Sequence, residues 1–423
     1  MRSGWWVTPF RFAPVWTRWR RRTRAGRALL VGLWLAATPA RGEPGAQLEP
    51  RWSVAVDSVT GNRVEVVVAD RRLYLDAFYH LVELGLATGQ RLRRLPRGDC
   101  GGHLIDIRVH ARAGVLLTLC AERGTEEGPR RDRGTTRASL RALDLASGEL
   151  LWERAGAIAA PLATSGPRVV LLEHGRLFAL EARSGQQTWR SEEIGESTTG
   201  PSADEASVVA QNSAGLVSAH AATTGKRLWR RSLPGEPRCA AALGPRQVYL
   251  THNVETKGAE WVGRLWALDL TSGRPVWEKQ LTNEAIYFPV TVGRDAVFLA
   301  ATSNLDQPAG LYALSAATGK ELWRHELVTD ANGHDFTPTL RGDQLLLWSG
   351  SLQELKRAGV SSSYSLISVK VQSGELLWTY TPPQPEKVTL SRPQVIGETL
   401  VYHDGEQIRA LRIPRSATKP APP

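Results

Sequence analysis

The residues of this 423-residue chain that could carry chemistry are few and scattered. Asp144 and Asp269 each stand three residues before a serine, Ser147 and Ser272, and a glycine follows at once. That spacing suits capture of backbone N–H groups in a tight turn better than acid–base work, because short carboxylate side chains bond the backbone just ahead of them. Glu196, Asp335 and Arg392 lie one to five residues before Pro201, Pro338 and Pro393. No paired carboxylate, metal-spaced histidine set or Ser/His/Asp arrangement can be named, so no catalytic or metal-ligating residue is expected. Cys100 and Cys120 could form one disulfide in an oxidising compartment, two free buried thiols being the alternative. Cys239 is left over.

The positions of these residues follow from a repeat. Leu314…Thr318-Gly319…Trp323 recurs at Leu143…Gly148…Trp152, Leu180…Gly185…Trp189, Thr224-Gly225…Trp229, Leu268…Gly273…Trp277 and Ser373-Gly374…Trp378. A degenerate copy, Leu84…Thr88-Gly89, carries Arg93 at the Trp position and predicts looser packing there. Successive glycines are 59, 37, 40, 48, 46 and 55 residues apart, a spacing suited to the units of a closed array. In residues 159–192, Val169 to Leu172 reads as a buried strand, His174-Gly175 as a turn, Arg176 to Leu180 as a half-buried strand and Gln187 to Arg190 as a further strand anchored by Trp189. Such a small antiparallel sheet is not stable alone. Stacking units around an axis buries Trp52, Trp152, Trp189, Trp229, Trp277, Trp323 and Trp378 between neighbours, as packing residues rather than a ligand platform.

After the seventh motif, Leu400-Val401-Tyr402 and Gln407 to Leu411 repeat the early strands of a unit and then stop short of a Gly and a Trp. Arg51-Trp52-Ser53-Val54 supplies the missing strand from the other end of the chain. The expected fold is all-β: an eight-bladed β-propeller of four-stranded antiparallel blades spanning 51–413, closed by an N-terminal strand. Within it, Glu196, Asp335 and Arg392 are either funnel-lining groups or ordinary loop residues. Prolines such as Pro161, Pro289, Pro338 and Pro393 are expected at the first residue of each inner strand, where no ladder donor is needed. The charged stretch Glu122 to Arg137, Thr251 to Trp261, Ser303 to Pro308 and Gly350 to Ser363 read as insertions, and residues 414–423 as a disordered tail.

Nine of the eleven net positive charges lie within residues 1–42, which hold no acidic residue, so the body is nearly neutral at +2 and nucleic acid is not an expected partner. The basic run Arg18 to Arg27, the apolar run Ala28 to Ala37 and Thr38-Pro39-Ala40-Arg41-Gly42 read as a signal peptide cleaved after Ala40 or Gly42, an uncleaved anchor being the alternative. No cysteine follows the apolar run, so lipid attachment there is excluded and the localisation expected is periplasmic or secreted.

The Pro-x-x-x-Gly inner strand, the Ala-Leu pair, Ser/Thr-Gly and Trp together resemble the pyrroloquinoline-quinone (PQQ)-type propeller repeat over residues 51 to 413. The resemblance implies Trp side chains docked between blades and one of two functions. Quinoprotein dehydrogenases cradle PQQ with calcium, a Trp platform and, in many, two adjacent half-cystines; no two cysteines are adjacent here. BamB-like propellers are non-catalytic subunits of the outer-membrane barrel-assembly machinery. The reading taken is an exported, monomeric, cofactor-free scaffold that binds an envelope protein partner, with a small PQQ-binding enzyme as the alternative.

Overall fold

The computed structural model describes residues 48–55, 66–69, 71–76, 80–96, 104–121, 137–197, 199–255, 261–281, 284–303, 309–327, 336–350, 364–382, 392–403 and 407–413. Residues 1–42, Cys100, Asp335, most of Glu122 to Arg137 and the tail 414–423 lie outside them.

The described residues form antiparallel sheets, with a single 3-10 turn at Ala111–Ala113. Each repeat becomes a four-stranded meander. Arg168–Glu173, Arg176–Glu181 and Gln187–Glu193 pair in sequence order, and the apolar run of the first is buried throughout its centre, as its unbroken Val-Val-Leu-Leu requires. Leu150–Ser165 is sixteen residues long and serves two repeats, as outer strand of the second and inner strand of the third. The two repeats therefore share one seven-stranded sheet. With that sheet divided, the described residues make eight units of four principal strands, called one to eight here in the order of their turns; unit five gains the short strand Glu236–Pro237, and Glu284–Ala285 pairs separately with Thr302–Ser303. Their outer strands are Arg91–Pro96, the start of Leu150–Ser165, Gln187–Glu193, Arg227–Ser232, Pro275–Leu281, Glu321–Leu327, Leu376–Tyr380 and, for unit eight, Glu49–Ala55.

The closure inferred from Trp52 is present. Glu49–Ala55 pairs antiparallel with Gln407–Arg412, with Trp52 opposite Ala410 and Val54 opposite Ile408. Apolar clusters then run from each unit to the next. Val170 and Trp189 meet Val208, Val209 and Trp229 meet Val248, and Tyr249 and Trp277 meet Val297. The series returns to its start where Val401, Ile408 and Ala410 of unit eight pack on Leu73 and Leu84 of unit one. Each buried aliphatic side chain contributes roughly 1.5–3 kcal/mol, so the seams between units, not the isolated sheets, hold the ring together.

Two expectations are corrected. Pro161 lies inside Leu150–Ser165, where the pairing with Arg168–Glu173 shifts register, rather than opening a strand; a bulge tolerates a residue without an N–H. Thr339 and Gln394 do begin strands directly after Pro338 and Pro393. The stretch Thr251 to Trp261 lengthens a hairpin instead of interrupting it, with Val254 opposite Val262 and Glu255 opposite Trp261.

Candidate functional site

Strand order gives the ring two unlike ends. The turns between first and second strands and between third and fourth strands share one end, and none of them exceeds five residues. The opposite end carries the connections between second and third strands and between units. These include residues 122–136 and 351–363, insertions of 15 and 13 residues. Every insertion read from the sequence thus belongs to one end, the usual place for binding groups on a rigid scaffold.

The turn end is built by the repeat itself. In each motif the Trp stands across the ladder from a small residue, as Trp229 does from Ala219 and Trp323 from Ala313, next to a register shift that turns the indole toward the following unit. It lands on that unit's turn glycine. Gly319 has a left-handed φ of +69, and a Cβ there would stand 2.5 Å from Trp277 Cε3, so conformation and space both require glycine. Six indoles donate to the carbonyl three residues before the glycine. Trp52 bonds Leu86, Trp152 bonds Ala182, Trp189 bonds Ala222, Trp229 bonds Leu270, Trp277 bonds Ala316 and Trp323 bonds Val371, all at 2.8–2.9 Å. Trp378 differs: unit eight has no turn glycine, and the Trp378 indole N–H is buried without a partner among the described residues.

The looser packing expected at Arg93 is not found. Arg93 donates to the carbonyls of Leu145 and Ala146, Leu145 being the equivalent acceptor beside Gly148, and Leu95 lies on Gly148 in place of an indole. Opposite Arg93 stands Glu83 where six other units have Ala and one has Ser368. The fully buried Glu83 carboxylate pairs with Arg93 and with Arg72, the latter at 2.5 Å. An ion pair has replaced an Ala–Trp pair.

Asp144 and Asp269 belong to the turns. Asp144 accepts from the backbone N–H of Ser147 and Ala146 and from Arg183, which hold its pKa down at about 2. Asp269 accepts from the hydroxyl and N–H of Ser272, which lower its pKa. Neither is poised for proton transfer.

Around the axis, inner strands are tied to their neighbours by hydroxyls. Ser165 Oγ donates to the Asp204 carbonyl at 2.6 Å, Ser202 Oγ to Ala241 at 2.6 Å, Thr291 Oγ1 to Pro338 at 2.5 Å and Thr339 Oγ1 to Pro393 at 3.0 Å. Arg392 joins this set, with Nη2 donating to the Pro338 carbonyl at 3.1 Å. Glu196 is an exposed residue of a connection at the insertion end, and its carbonyl accepts from Ser213 N–H at 2.9 Å. Both residues precede the first strand of a unit, Glu196 that of unit four and Arg392 that of unit eight. Asp106, a buried inner-strand carboxylate, accepts from Leu162 N–H at 2.7 Å and pairs with Arg108 at 3.0 Å, while burial raises its pKa.

A PQQ–calcium site needs a set of anionic oxygens around the metal. Among the described residues no group of His, Cys, Asp or Glu could hold a metal ion. Asp106 is already committed to a backbone N–H and an arginine.

At the insertion end, units four to six carry a buried polar network that the sequence did not reveal. Gln211 Nε2 donates to the Cys239 carbonyl at 2.6 Å, His252 Nδ1 to the Pro234 carbonyl at 3.0 Å, and His252 Nε2 lies 3.1 Å from Gln211 Oε1. Asn253 brackets Ile286, donating to its carbonyl at 3.1 Å and accepting its N–H at 2.9 Å. These side chains fix the connections between units, so that exposed Tyr287 and nearby Arg238 sit on held backbone, with the guanidinium 6.0 Å from the ring centre. Burial holds the His252 pKa down at about 4, against the opposing effect of the Pro234 bond. Glu284 accepts from the Tyr312 hydroxyl at 2.6 Å and from Arg324 at 2.6 Å, and burial raises both the Glu284 and Tyr312 pKa. Cys239 and Cys120 are both buried, and the Cys120 partner expected from the sequence, Cys100, lies outside the described residues.

The PQQ_2 family model, described as outer membrane protein assembly factor BamB, matches residues 133–254 and 262–416. No curated protein matches the chain significantly. Among solved structures, BamB from Moraxella catarrhalis is 16% identical with a TM-score of 0.59, covering 87% of this chain and 100% of its own. Quinohemoprotein alcohol dehydrogenase ADHIIG from Pseudomonas putida HK5 is 12% identical with a TM-score of 0.55, covering 89% of this chain and 78% of its own. The C-terminal WD40 domain of Sif2 is 11% identical with a TM-score of 0.61, covering 88% of this chain and 100% of its own. At these identities the likenesses speak for the propeller fold alone.

Proposed function

Since the chain belongs to the PQQ_2 family described as outer membrane protein assembly factor BamB, we propose that it is a non-enzymatic, eight-bladed scaffold that binds a protein partner in the cell envelope and contributes to outer-membrane protein assembly. It works as an exported monomer without PQQ, calcium or another cofactor. The observation that carries this reading is the asymmetry of the ring: tight turns at one end, every long connection at the other, on backbone fixed by Gln211, His252 and Asn253. A rigid ring that presents variable connections on one end supports recognition of a protein surface.

The test is photocrosslinking in living cells, with a benzoylphenylalanine placed at Tyr287 on the insertion end or at Thr223 on the turn end. Identified envelope proteins are expected from position 287 and not from 223. Equal capture from both, or none from 287, would overturn the assignment of that end.

The fold likeness to a quinohemoprotein dehydrogenase supports a second reading, PQQ binding in the axial funnel. Purified protein incubated with PQQ and calcium is expected to retain no quinone absorbance after desalting; retained quinone would favour the enzyme.

A further inference from the structure

Outer strands of a propeller leave one row of N–H and C=O groups without a ladder partner, and such edges are usually guarded by charge. Seven of the eight outer strands here follow that rule, with sequences EPRWSVA, RLRRLP, LLWERA at the start of the shared strand, QTWRSEE, RLWRRS, PVWEKQL and ELWRHEL. The position after the motif Trp, or after Arg93, is charged in six of them: Arg94, Glu153, Arg190, Arg230, Glu278 and Arg324. The outer strand of unit seven is Leu376-Leu377-Trp378-Thr379-Tyr380, with no charge at all. Thr379 occupies the guarded position and is exposed. Leu376, 54% exposed, is the most exposed large apolar side chain among the described residues.

We infer that Leu376–Tyr380 is the edge at which an extended, uncharged segment of a protein partner adds as a fifth strand of unit seven. The inference rests on the scaffold reading and names the class of segment recognised. Charge selects the occupant. A neutral strand meets no charged side chain here, whereas on each of the other seven edges it would lie against at least one, the usual guard of an open edge. Main-chain pairing supplies affinity, and alternate apolar side chains meet Leu376 while Thr379 lies beside the incoming backbone. The strand itself is held firmly: Trp378 is buried against unit eight, and the Tyr380 hydroxyl lies 3.1 Å from that of Tyr402. The edge is therefore preformed and loses little freedom on pairing. Nucleic acid would find no cation on this strand, and a helix could not use its row of N–H and C=O groups.

The probe is a capped peptide of alternating valine and threonine, with hydrogen exchange and fluorescence anisotropy as readouts on the full chain. Protection of the amides of 376–380 and saturable binding are expected. Thr379→Arg, which installs the residue present in sister strands and so preserves the fold, should weaken binding at least tenfold, and N-methylation of alternate peptide amides should abolish it. Arg230→Glu in unit four is the control and should leave binding unchanged. Binding of the N-methylated peptide, or indifference to Thr379→Arg, would overturn strand addition. A concentration-dependent dimer abolished by Thr379→Arg would also overturn it, assigning the edge to a second copy of the chain. Crosslinking through position 287 is independent of every arm, so this inference and the scaffold reading can fail separately.

Discussion

Arg93 donates to the carbonyl of Leu145, the position that in six other seams receives an indole N–H. The guanidinium performs the hydrogen-bonding half of the Trp role, and Leu95 performs the packing half on Gly148. Glu83, fully buried opposite Arg93, makes the exchange workable by pairing with the cation.

The pair is expected to behave as a unit. Arg93→Ala leaves Glu83 buried with only Arg72 beside it and should cost about 3 kcal/mol, within the range for breaking a buried pair from one side. The double change Glu83→Ala with Arg93→Trp restores the sister arrangement and should cost far less than the sum of its single changes. Thermal melts of the four proteins check this; simple additivity would mean that the two residues are not coupled.

How much of this was legible in the sequence varies from residue to residue. The turn glycines, the docked Trp positions and the Trp52 closure follow from a period, because the same local physics recurs in each unit. The Glu83–Arg93 exchange was half legible: Arg93 looked like a lost Trp, and only the cross-strand register shows that Glu83 replaces the Ala facing it. The His252 network left no pattern, since its partners at Pro234, Cys239 and Ile286 are backbone atoms that any residue type supplies. That all the insertions share one end follows from strand direction, which a list of insertions does not contain.

Trp→Phe changes should separate the seams. Trp229→Phe removes an N–H that donates to Leu270 at 2.8 Å and leaves a buried carbonyl unpaired, at a cost of about 1–3 kcal/mol. Trp378→Phe removes an N–H with no partner among the described residues, so it should be neutral or mildly stabilising. Equal losses of melting temperature in the two variants would show that the Trp378 indole finds an acceptor in solution.

Closure by the two chain ends predicts a strong effect from a small deletion. Removing residues 51–57 takes away Trp52 and the ladder partners of Gln407, Ile408, Arg409 and Ala410. It also uncovers the Val401–Ile408–Ala410 cluster that meets Leu73 and Leu84. A fall in melting temperature of well over 10 °C is expected, together with faster amide exchange in 399–412. An unchanged melt would refute closure through the N-terminal strand.

His252 gives the ring an acid-sensitive point at the insertion end. Its folded pKa, about 4, lies below the unfolded value of about 6.5, so between these values the unfolded chain binds the extra proton. Stability then rises with pH across that window: it is fully present above about pH 6.5, declines as pH falls toward 4 and levels off below. The fall attributable to this group is on the order of 3 kcal/mol. His252→Gln, which keeps a hydrogen-bonding side chain but cannot take up the proton, should flatten the stability profile between pH 4 and 6.5 while leaving Asp144, with its pKa near 2, to act only below that range. Denaturant melts of both proteins at pH 4.5, 5.5 and 7 measure this directly. A profile unchanged by the substitution would show that His252 is not the group that titrates, and would place the acid sensitivity of the ring elsewhere.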